Sequence, residues 1–189
     1  MAAGLSNFYY SMRIIQLTGL SGAGKTTLAT RLHALLQEAG FPAVVIDADV
    51  YRKTVNKDLG FSAADRKENI RRLAAIAHDY SSQGTIAILA AINPFEEVRQ
   101  EVARRYGAKT VWIRCSLDML IQRDTKGLYR KAFLPEGHPE KLKNLTGVND
   151  PYEEPLQPDL IINTDEMSEA EAVNMLLQFA LAMLKSESL

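Results

Sequence analysis

The chain has 189 residues, of which 47% are hydrophobic and 24% are charged, and this suits one compact domain with a sizeable core. Lysine and arginine number 22 against 23 aspartate and glutamate residues, so a net charge of -1 provides no surface-wide field for nucleic acid or an anionic membrane. The single cysteine excludes an internal disulfide framework and a cysteine-built zinc site, and it favours a reducing, cytosolic setting.

Apolar runs and helical periods alternate along the chain from residue 13 onward, after a predicted flexible arm at 1–12. The predicted strands are 13–18, 43–46, 85–92, 109–115 and 160–162. The predicted helices are 26–39, 62–82, 95–106, 116–124 and a last helix, which Ser168 and Glu171 open with a capping box.

Strands that lack polar alternation and are separated by helices predict a parallel sheet covered on both faces. We therefore expect a single doubly wound α/β domain over 13–189. The stretch 125–158 is rich in lysine, glycine, proline and asparagine, and it predicts a mobile lid at about 123–158. Ligands of such sheets bind at the carboxyl ends of the strands.

The loop after the first strand matches the G-x-x-x-x-G-K-[ST] pattern and lies between a strand and a helix, as that pattern requires. Its glycines let backbone N–H groups converge on phosphate oxygens, and the following helix adds its positive dipole end. Lys25 can reach the β- and γ-phosphates, and the hydroxyl of Thr26 can bind Mg²⁺. The predicted ATP-binding residues here are Gly19, Leu20, Ser21, Gly22, Ala23, Gly24, Lys25, Thr26 and Thr27.

This loop predicts binding of a nucleoside triphosphate, although a glycine-rich connecting turn is the alternative. GTPase switches, motor ATPases and small-molecule kinases share it, so the loop alone leaves the reaction open. A single short domain with a long flexible segment late in the chain favours a kinase with a lid. Lids exclude water, so that the phosphoryl group goes to the acceptor.

Asp47-Ala48-Asp49 ends the second predicted strand, beside the phosphate loop in this topology. A carboxylate there can accept the proton of an attacking hydroxyl, which is the role of a base in phosphoryl transfer. The alternative is a turn that uses aspartate for local hydrogen bonds.

Ser62 is a good N-cap for the helix that follows it, and the apolar stripe of that helix extends back onto Arg66 and Asn69. Both side chains should therefore face the protein body near the nucleotide cleft. A core-facing arginine either binds an anion or pairs with an internal carboxylate, and Asp49 and Asp65 are the candidates for such a pair.

Taken together, these motifs resemble those of the adenylylsulfate kinase (APS kinase) family of P-loop kinases, in order from residue 17 to about 165. This family phosphorylates the ribose 3′-hydroxyl of adenylyl sulfate. The matching motifs are the phosphate loop at 19–27, Asp47-Ala-Asp49 with Arg52, Asn56-Lys-Asp-Leu-Gly-Phe-Ser62, Asp65-Arg-Lys-Glu-Asn-Ile-Arg-Arg72, Arg123-Asp124, Lys126-Gly-Leu-Tyr129 and Thr146-Gly-Val with Pro151-Tyr-Glu153.

The resemblance implies that Asp49 and Lys25 are catalytic and that Arg123 approaches the phosphates of ATP. It also implies that Phe61 stacks on the substrate adenine, while residues of the lid close over the substrate. The substrate-binding residues implied are Asp49, Arg52, Phe61, Arg66, Asn69, Ile92, Lys126, Gly127 and Leu128. The implied cofactor is Mg²⁺ held by Thr26, and the implied partners are small nucleotides, a second copy in a homodimer and a functionally associated sulfurylase.

Two departures from the family pattern keep another acceptor open. Val50 stands where the family usually has asparagine, and Leu145 stands where it usually has phenylalanine, so one face of the expected aromatic sandwich is aliphatic. The alternatives are the same chemistry on another nucleotide, such as a cytidine diphosphoramidate-type acceptor, or an ATP-dependent switch without catalysis.

Overall fold

The computed structural model describes residues 13–185, and the predicted arm at 1–12 lies outside them. The strands are β1 (Ile14–Thr18), β2 (Ala43–Asp47), β3 (Ile86–Ala90), β4 (Lys109–Arg114) and β5 (Leu160–Asn163). The helices are α1 (Lys25–Glu38), α2 (Ala48–Arg52), α3 (Ala63–Ser82), α4 (Glu96–Tyr106), α5 (Leu117–Arg123), α6 (Leu128–Ala132) and α7 (Glu169–Lys185).

The strands form one parallel sheet in the order β2-β3-β1-β4-β5. Successive side chains of β1 enter different cores, since Ile14 packs with residues of α3 and α4 and Ile15 packs with residues of α1 and α7. Helices thus cover both faces of the sheet, and the predicted doubly wound α/β fold is confirmed. Between residues 13 and 185, no helix has the length and apolarity needed to cross a membrane.

Helix α1 begins at Lys25 directly after the loop that follows β1. Leu28, Leu32 and Leu36 are buried at helical spacing and fix α1 against the sheet. Gly24, the N-cap, has φ of 102° and no side-chain capping hydrogen bond, and the first turn contains no acidic residue. The N–H groups of this first turn are therefore left without a side-chain cap at the carboxyl end of β1.

Two helical segments were not expected from the sequence. Helix α2 follows β2 without a break, because the side chain of Asp47 caps it by accepting hydrogen bonds from the amides of Asp49 and Val50. Helix α6 lies within the predicted lid and begins at Gly127, which has φ of 64°. The mobility of that lid stays a prediction.

The buried side chain of Arg99 in α4 joins the sheet to the end of the predicted lid. Its guanidinium is 1% exposed, pairs with Glu96 at 2.7 Å, and donates to the carbonyl oxygens of Asn93 and Glu153, each at 2.6 Å. The phenol of Tyr152 lies 3.1 Å from the hydroxyl of Thr18 at the end of β1. Residues 152–153 are thus fixed to the sheet at the carboxyl ends of β1 and β3.

The backbone of Gly19 closely approaches strand β4. It has φ of 151°, and a Cβ added there would lie 2.3 Å from the carbonyl oxygen of Ile113 in β4. Because the obstacle is backbone, a side chain cannot be accommodated by a change of rotamer.

We expect Gly19→Ala to lower the free energy of unfolding by roughly 1–3 kcal/mol more than Gly40→Ala, as measured by urea denaturation. Gly40 is the control because it also has positive φ, 81°, but a Cβ there would meet no atom within 4 Å. Equal losses for the two variants would contradict a clash at Gly19.

Candidate active site

Lys25 is buried against the loop that precedes it. Its Nζ donates hydrogen bonds to the carbonyl oxygens of Gly19 at 2.8 Å and Leu20 at 2.7 Å. Burial and the positive charge of Lys126 lower the pKa of Lys25 to about 8, against the opposing effect of nearby carboxylates such as Asp49. An anionic ligand in the loop would favour the charged amine.

Thr26 and Asp47 bring two oxygen groups together at the carboxyl end of β2. The Thr26 hydroxyl donates to Asp47 Oδ2 at 2.6 Å, while Asp47 Oδ1 accepts from the amide of Asp49 at 2.8 Å. Within 13–185 no cluster of three or more His, Cys, Asp or Glu residues is arranged to hold a metal ion. A hydroxyl and one carboxylate suit Mg²⁺ that completes its shell with water and phosphate oxygens.

Asp49, the predicted base, is paired with a residue of the predicted lid. Its Oδ2 accepts a hydrogen bond from Lys126 Nζ at 2.7 Å, and both side chains are more than half exposed. Burial alone would raise the pKa of Asp49, but Lys126, with Lys25 and Lys53, outweighs it and holds the pKa below its ordinary value. Asp49 is therefore an ionised acceptor at neutral pH.

A cavity of about 450 Å³ lies over the carboxyl ends of β1, β2 and β3 and is bounded on its other side by the lid. Its volume is in the range of small-molecule sites. The predicted site residues that line it are Ser21, Gly22, Gly24, Lys25, Thr26, Thr27, Asp49, Phe61, Arg66, Ile92, Lys126 and Leu128. Residues from five separate parts of the sequence thus converge on one cavity.

The remaining predicted residues of the loop, Gly19, Leu20 and Ala23, are not part of the cavity wall. The carbonyl groups of Gly19 and Leu20 hold the amine of Lys25, as described above. Gly127 also stays outside the wall and provides the left-handed turn that starts α6. Its contribution is to the backbone path of the lid.

Three predicted side chains are not brought to the cavity. Arg52 donates to the carbonyl oxygen of Gly60 at 2.8 Å, and its guanidinium lies 4.8 Å from the ring centroid of Phe61. Asn69 is 3% exposed and accepts a hydrogen bond from Asn56 at 3.0 Å.

Arg123 is the third of these side chains. It donates to the carbonyl oxygen of Thr164 at 2.8 Å, at the end of α5 and outside the cavity wall. The end of α5 orients the guanidinium toward residue 164, and the approach of Arg123 to the ATP phosphates stays a prediction.

Arg66 faces the protein body as predicted, but its carboxylate partner was not foreseen. It pairs with Asp150 at 2.7 Å, and neither Asp49 nor Asp65 fills that role. Its guanidinium also lies 5.5 Å from the ring centroid of Phe61. Phe61 itself is 54% exposed and lines the cavity between the two arginines and the lid.

Sequence reasoning missed several residues of the site. Asp47 belonged to a motif singled out in the sequence, but its bond to Thr26 depends on the pairing of β2 beside β3. Asp150 is 84 positions from Arg66, and no local pattern joins them. The lid also contributes Leu142, Asn144, Leu145 and Thr146 to the cavity wall. Leu145 and Thr146 were singled out in the sequence, whereas Leu142 and Asn144 were not.

The fold and the cavity define a phosphate-loop phosphotransferase of the nucleotide-kinase type. A family profile described as adenylylsulphate kinase matches residues 11–163. The adenylyl-sulfate kinase of Chloroflexus aurantiacus is 47% identical over 165 residues, which cover 87% of this chain and 86% of that protein. The adenylyl-sulfate kinase of Paraburkholderia xenovorans is 43% identical over 173 residues, which cover 90% of this chain and 93% of that protein.

Solved structures agree with this match. The APS kinase of Mycobacterium tuberculosis, in complex with AMPPNP and APS, superposes with a TM-score of 0.79 at 34% identity and covers 92% of this chain and 97% of that one. The chain therefore belongs to the adenylyl-sulfate kinase family, and the family assignment made from the sequence motifs is confirmed.

We expect ATP binding at about pH 8.5 to be accompanied by net proton uptake, which falls toward zero near about pH 6.5. With a pKa of about 8, the Lys25 amine is largely neutral at the higher pH and charged at the lower one. Triphosphate oxygens raise that pKa, so the amine takes up a proton on binding. Isothermal titration calorimetry in buffers of different ionisation enthalpy measures the uptake.

Lys25→Met should lose this pH-dependent uptake, whereas Lys57→Met, which changes an exposed lysine outside the cavity wall, should keep it. A proton count that does not change between the two pH values in the wild type would contradict the assignment to Lys25.

Proposed function

We propose that this protein transfers the γ-phosphoryl group of ATP to the 3′-hydroxyl of adenylyl sulfate, giving ADP and 3′-phosphoadenylyl sulfate. The observation that carries the proposal is the position of Asp49. Its ionised carboxylate lines the same cavity as the phosphate loop and as Phe61, so a base, a phosphate site and an aromatic ring share one space. The family membership of the chain supports this choice of substrate.

At the ATP end of the cavity, the uncapped N–H groups of α1 and Lys25 bind the phosphates. Lys25 exchanges its two carbonyl partners for phosphate oxygens, and its ammonium group then lies beside the phosphoryl group that is transferred. Thr26, supported by Asp47, would hold Mg²⁺. When bound, the ion neutralises charge that develops on the phosphate oxygens.

At the acceptor end, Asp49 orients the 3′-hydroxyl and accepts its proton. The O–H bond of the ribose breaks as the new bond from that oxygen to the γ-phosphorus forms. The bond between the γ-phosphorus and the bridging oxygen breaks, and its electron pair leaves with ADP. Lys126 Nζ donates to Oδ2 of this carboxylate, which has further acceptor positions for the hydroxyl proton.

We propose that the base of adenylyl sulfate binds beside Phe61, with Ile92, Leu128 and Leu145 as its apolar surroundings. Arg52 and Asn69 then act on the substrate through their neighbours, because Arg52 stacks on Phe61 and Asn69 is buried against Asn56. An aliphatic side chain gives a base less stacking than an aromatic ring does, so Phe61 provides most of the aromatic contact.

The direct test is ADP release with Mg²⁺ and ATP in the presence of adenylyl sulfate, of a panel of other nucleotides, or of no acceptor. We expect release that depends on adenylyl sulfate, with a product phosphorylated at the 3′ position. If only a different nucleotide were phosphorylated, adenylyl sulfate would be the wrong substrate, but the phosphoryl-transfer reaction would still hold. ATP binding without acceptor-dependent release would favour the switch alternative.

We expect Asp49→Asn to lower kcat about 100-fold or more while the KM for ATP changes less than about threefold, because the amide cannot accept the hydroxyl proton. Asp58→Asn is the matched control, since Asp58 is an exposed carboxylate that pairs with Arg72 away from the cavity. Steady-state kinetics with both substrates measures the effect. A folded Asp49→Asn protein with normal kcat would remove this residue from the mechanism.

We propose three further properties from the family resemblance: a homodimer, functional association with a sulfurylase, and a cytosolic location. The free thiol of Cys115, whose pKa is raised by burial and by its hydrogen bond to Asp165, is compatible with a reducing compartment. Residues 123–158 act as the lid of the 13–189 kinase domain in this proposal. Sedimentation velocity of the purified protein tests the dimer.

A further inference from the structure

Most N–H groups of the Arg66 guanidinium donate hydrogen bonds to the protein itself. A side chain that serves only to bind an anion would keep more of these donors available. Its Nε donates to the carbonyl oxygen of Phe61 at 2.9 Å, and its Nη1 donates to the hydroxyl of Thr146 at 3.1 Å. Its Nη2 donates to the carbonyl oxygen of Asn144 and to the carboxylate of Asp150, each at 2.7 Å. Four of the five N–H donors of the guanidinium are therefore engaged.

Three of these four partners belong to one short piece of the lid, residues 144–150. Within it, Asp150 accepts the amide of Gly147 through its backbone carbonyl at 2.8 Å, and the side chain of Asn149 accepts the amide of Leu145 at 2.7 Å. The piece is thus internally bonded, and Arg66 ties it to the start of α3. Leu145 and Thr146, which are 4% and 1% exposed, form the cavity wall that results.

The Arg66–Asp150 pair is the charged part of this connection. The Arg66 side chain is only 10% exposed and that of Asp150 is 29% exposed, so solvent screens the pair weakly. Removing one partner leaves a poorly hydrated charge on the other, which makes the pair more important to local structure than an exposed ion pair.

We propose that Asp150 is a positioning residue: through Arg66 it holds residues 144–146 as a fixed wall of the acceptor site, facing Phe61. Asp150 does not line the cavity itself, so it acts on the substrate through Leu145 and Thr146. The same guanidinium bonds to the carbonyl of Phe61. The side chain of Arg66 therefore positions both the residue with the aromatic ring and the aliphatic wall. The part of this inference that concerns adenylyl sulfate rests on the proposed function.

The first test concerns local structure and is independent of any activity. Asp150→Asn should increase the rate of tryptic cleavage after Lys143 on the order of tenfold, because 143–146 opens more often when the charge of its support is lost. Glu101→Gln is the matched control, since Glu101 pairs with another arginine of α3, Arg71, at 2.8 Å and lies outside the cavity wall. Equal cleavage of the two variants would overturn the proposal.

A measurement on the wild type covers the case in which Asp150→Asn does not fold. Hydrogen exchange of the amides in 145–150 should be about tenfold slower than in 136–143, a part of the same lid that Arg66 does not contact. Exchange at equal rates would mean that 144–150 is not held, and would also overturn the proposal.

The second test is a double-mutant cycle on the KM for adenylyl sulfate. Asp150→Asn should raise this KM about tenfold, with kcat and the KM for ATP each changed less than about threefold. In a protein that already carries Leu145→Ala, Asp150→Asn should raise the KM for adenylyl sulfate little further, because both changes disturb the same wall. Glu101→Gln should leave all three constants within about twofold of the wild type.

Fully additive effects of Asp150→Asn and Leu145→Ala, or an unchanged KM, would overturn a positioning role. A wild type that does not turn over adenylyl sulfate would instead refute the proposed function. In that case the protease and hydrogen-exchange results still decide whether Asp150 holds the wall.

Discussion

The uncapped start of α1 is the feature on which the arrangement of charge in this protein depends. Gly24 provides no side chain to accept the first N–H groups, and no acidic residue lies in the first turn to offset the helix dipole. An anion is the natural partner of such a site. Two lysines lie near this site: Lys25 bonds to two loop carbonyls, and Lys126 bonds to Asp49.

The Asp49–Lys126 bond joins the predicted lid to the proposed base. The surrounding lysines lower the pKa of Asp49 further below neutrality, and the ionised form is the one that can accept a proton. The hydrogen bond from Lys126, which contributes to this shift, is made to Oδ2. Lys126 of the predicted lid and the hydroxyl of the proposed acceptor are therefore partners of one and the same carboxylate.

Local sequence signals predicted the parts of the fold that depend on neighbours in the chain. Ser62 and Ser168 cap α3 and α7, as their spacing from acidic residues indicated. The pattern of the phosphate loop spans only eight consecutive residues, 19–26, so it could be found in the sequence directly. The bond of Arg66 to Asp150 spans 84 positions and depends on how the lid folds back, for which the sequence contains no periodic signal. Asn69 was placed correctly inside, but burial alone could not distinguish a substrate contact from a bond to Asn56.

The predicted lid is best understood as two pieces with different physical support. Two arginines from different helices hold its later part, since Arg66 bonds to 144–150 and Arg99 bonds to the carbonyl of Glu153. The earlier part contains Lys126 and contacts the phosphate loop through Tyr129, whose phenol donates to the carbonyl of Ser21. The Lys126–Asp49 ion pair is exposed and the Arg66 guanidinium is buried, so the ion pair is the less costly of the two contacts to break. In the proposed reaction the acceptor enters past Lys126 against a wall that is already in place.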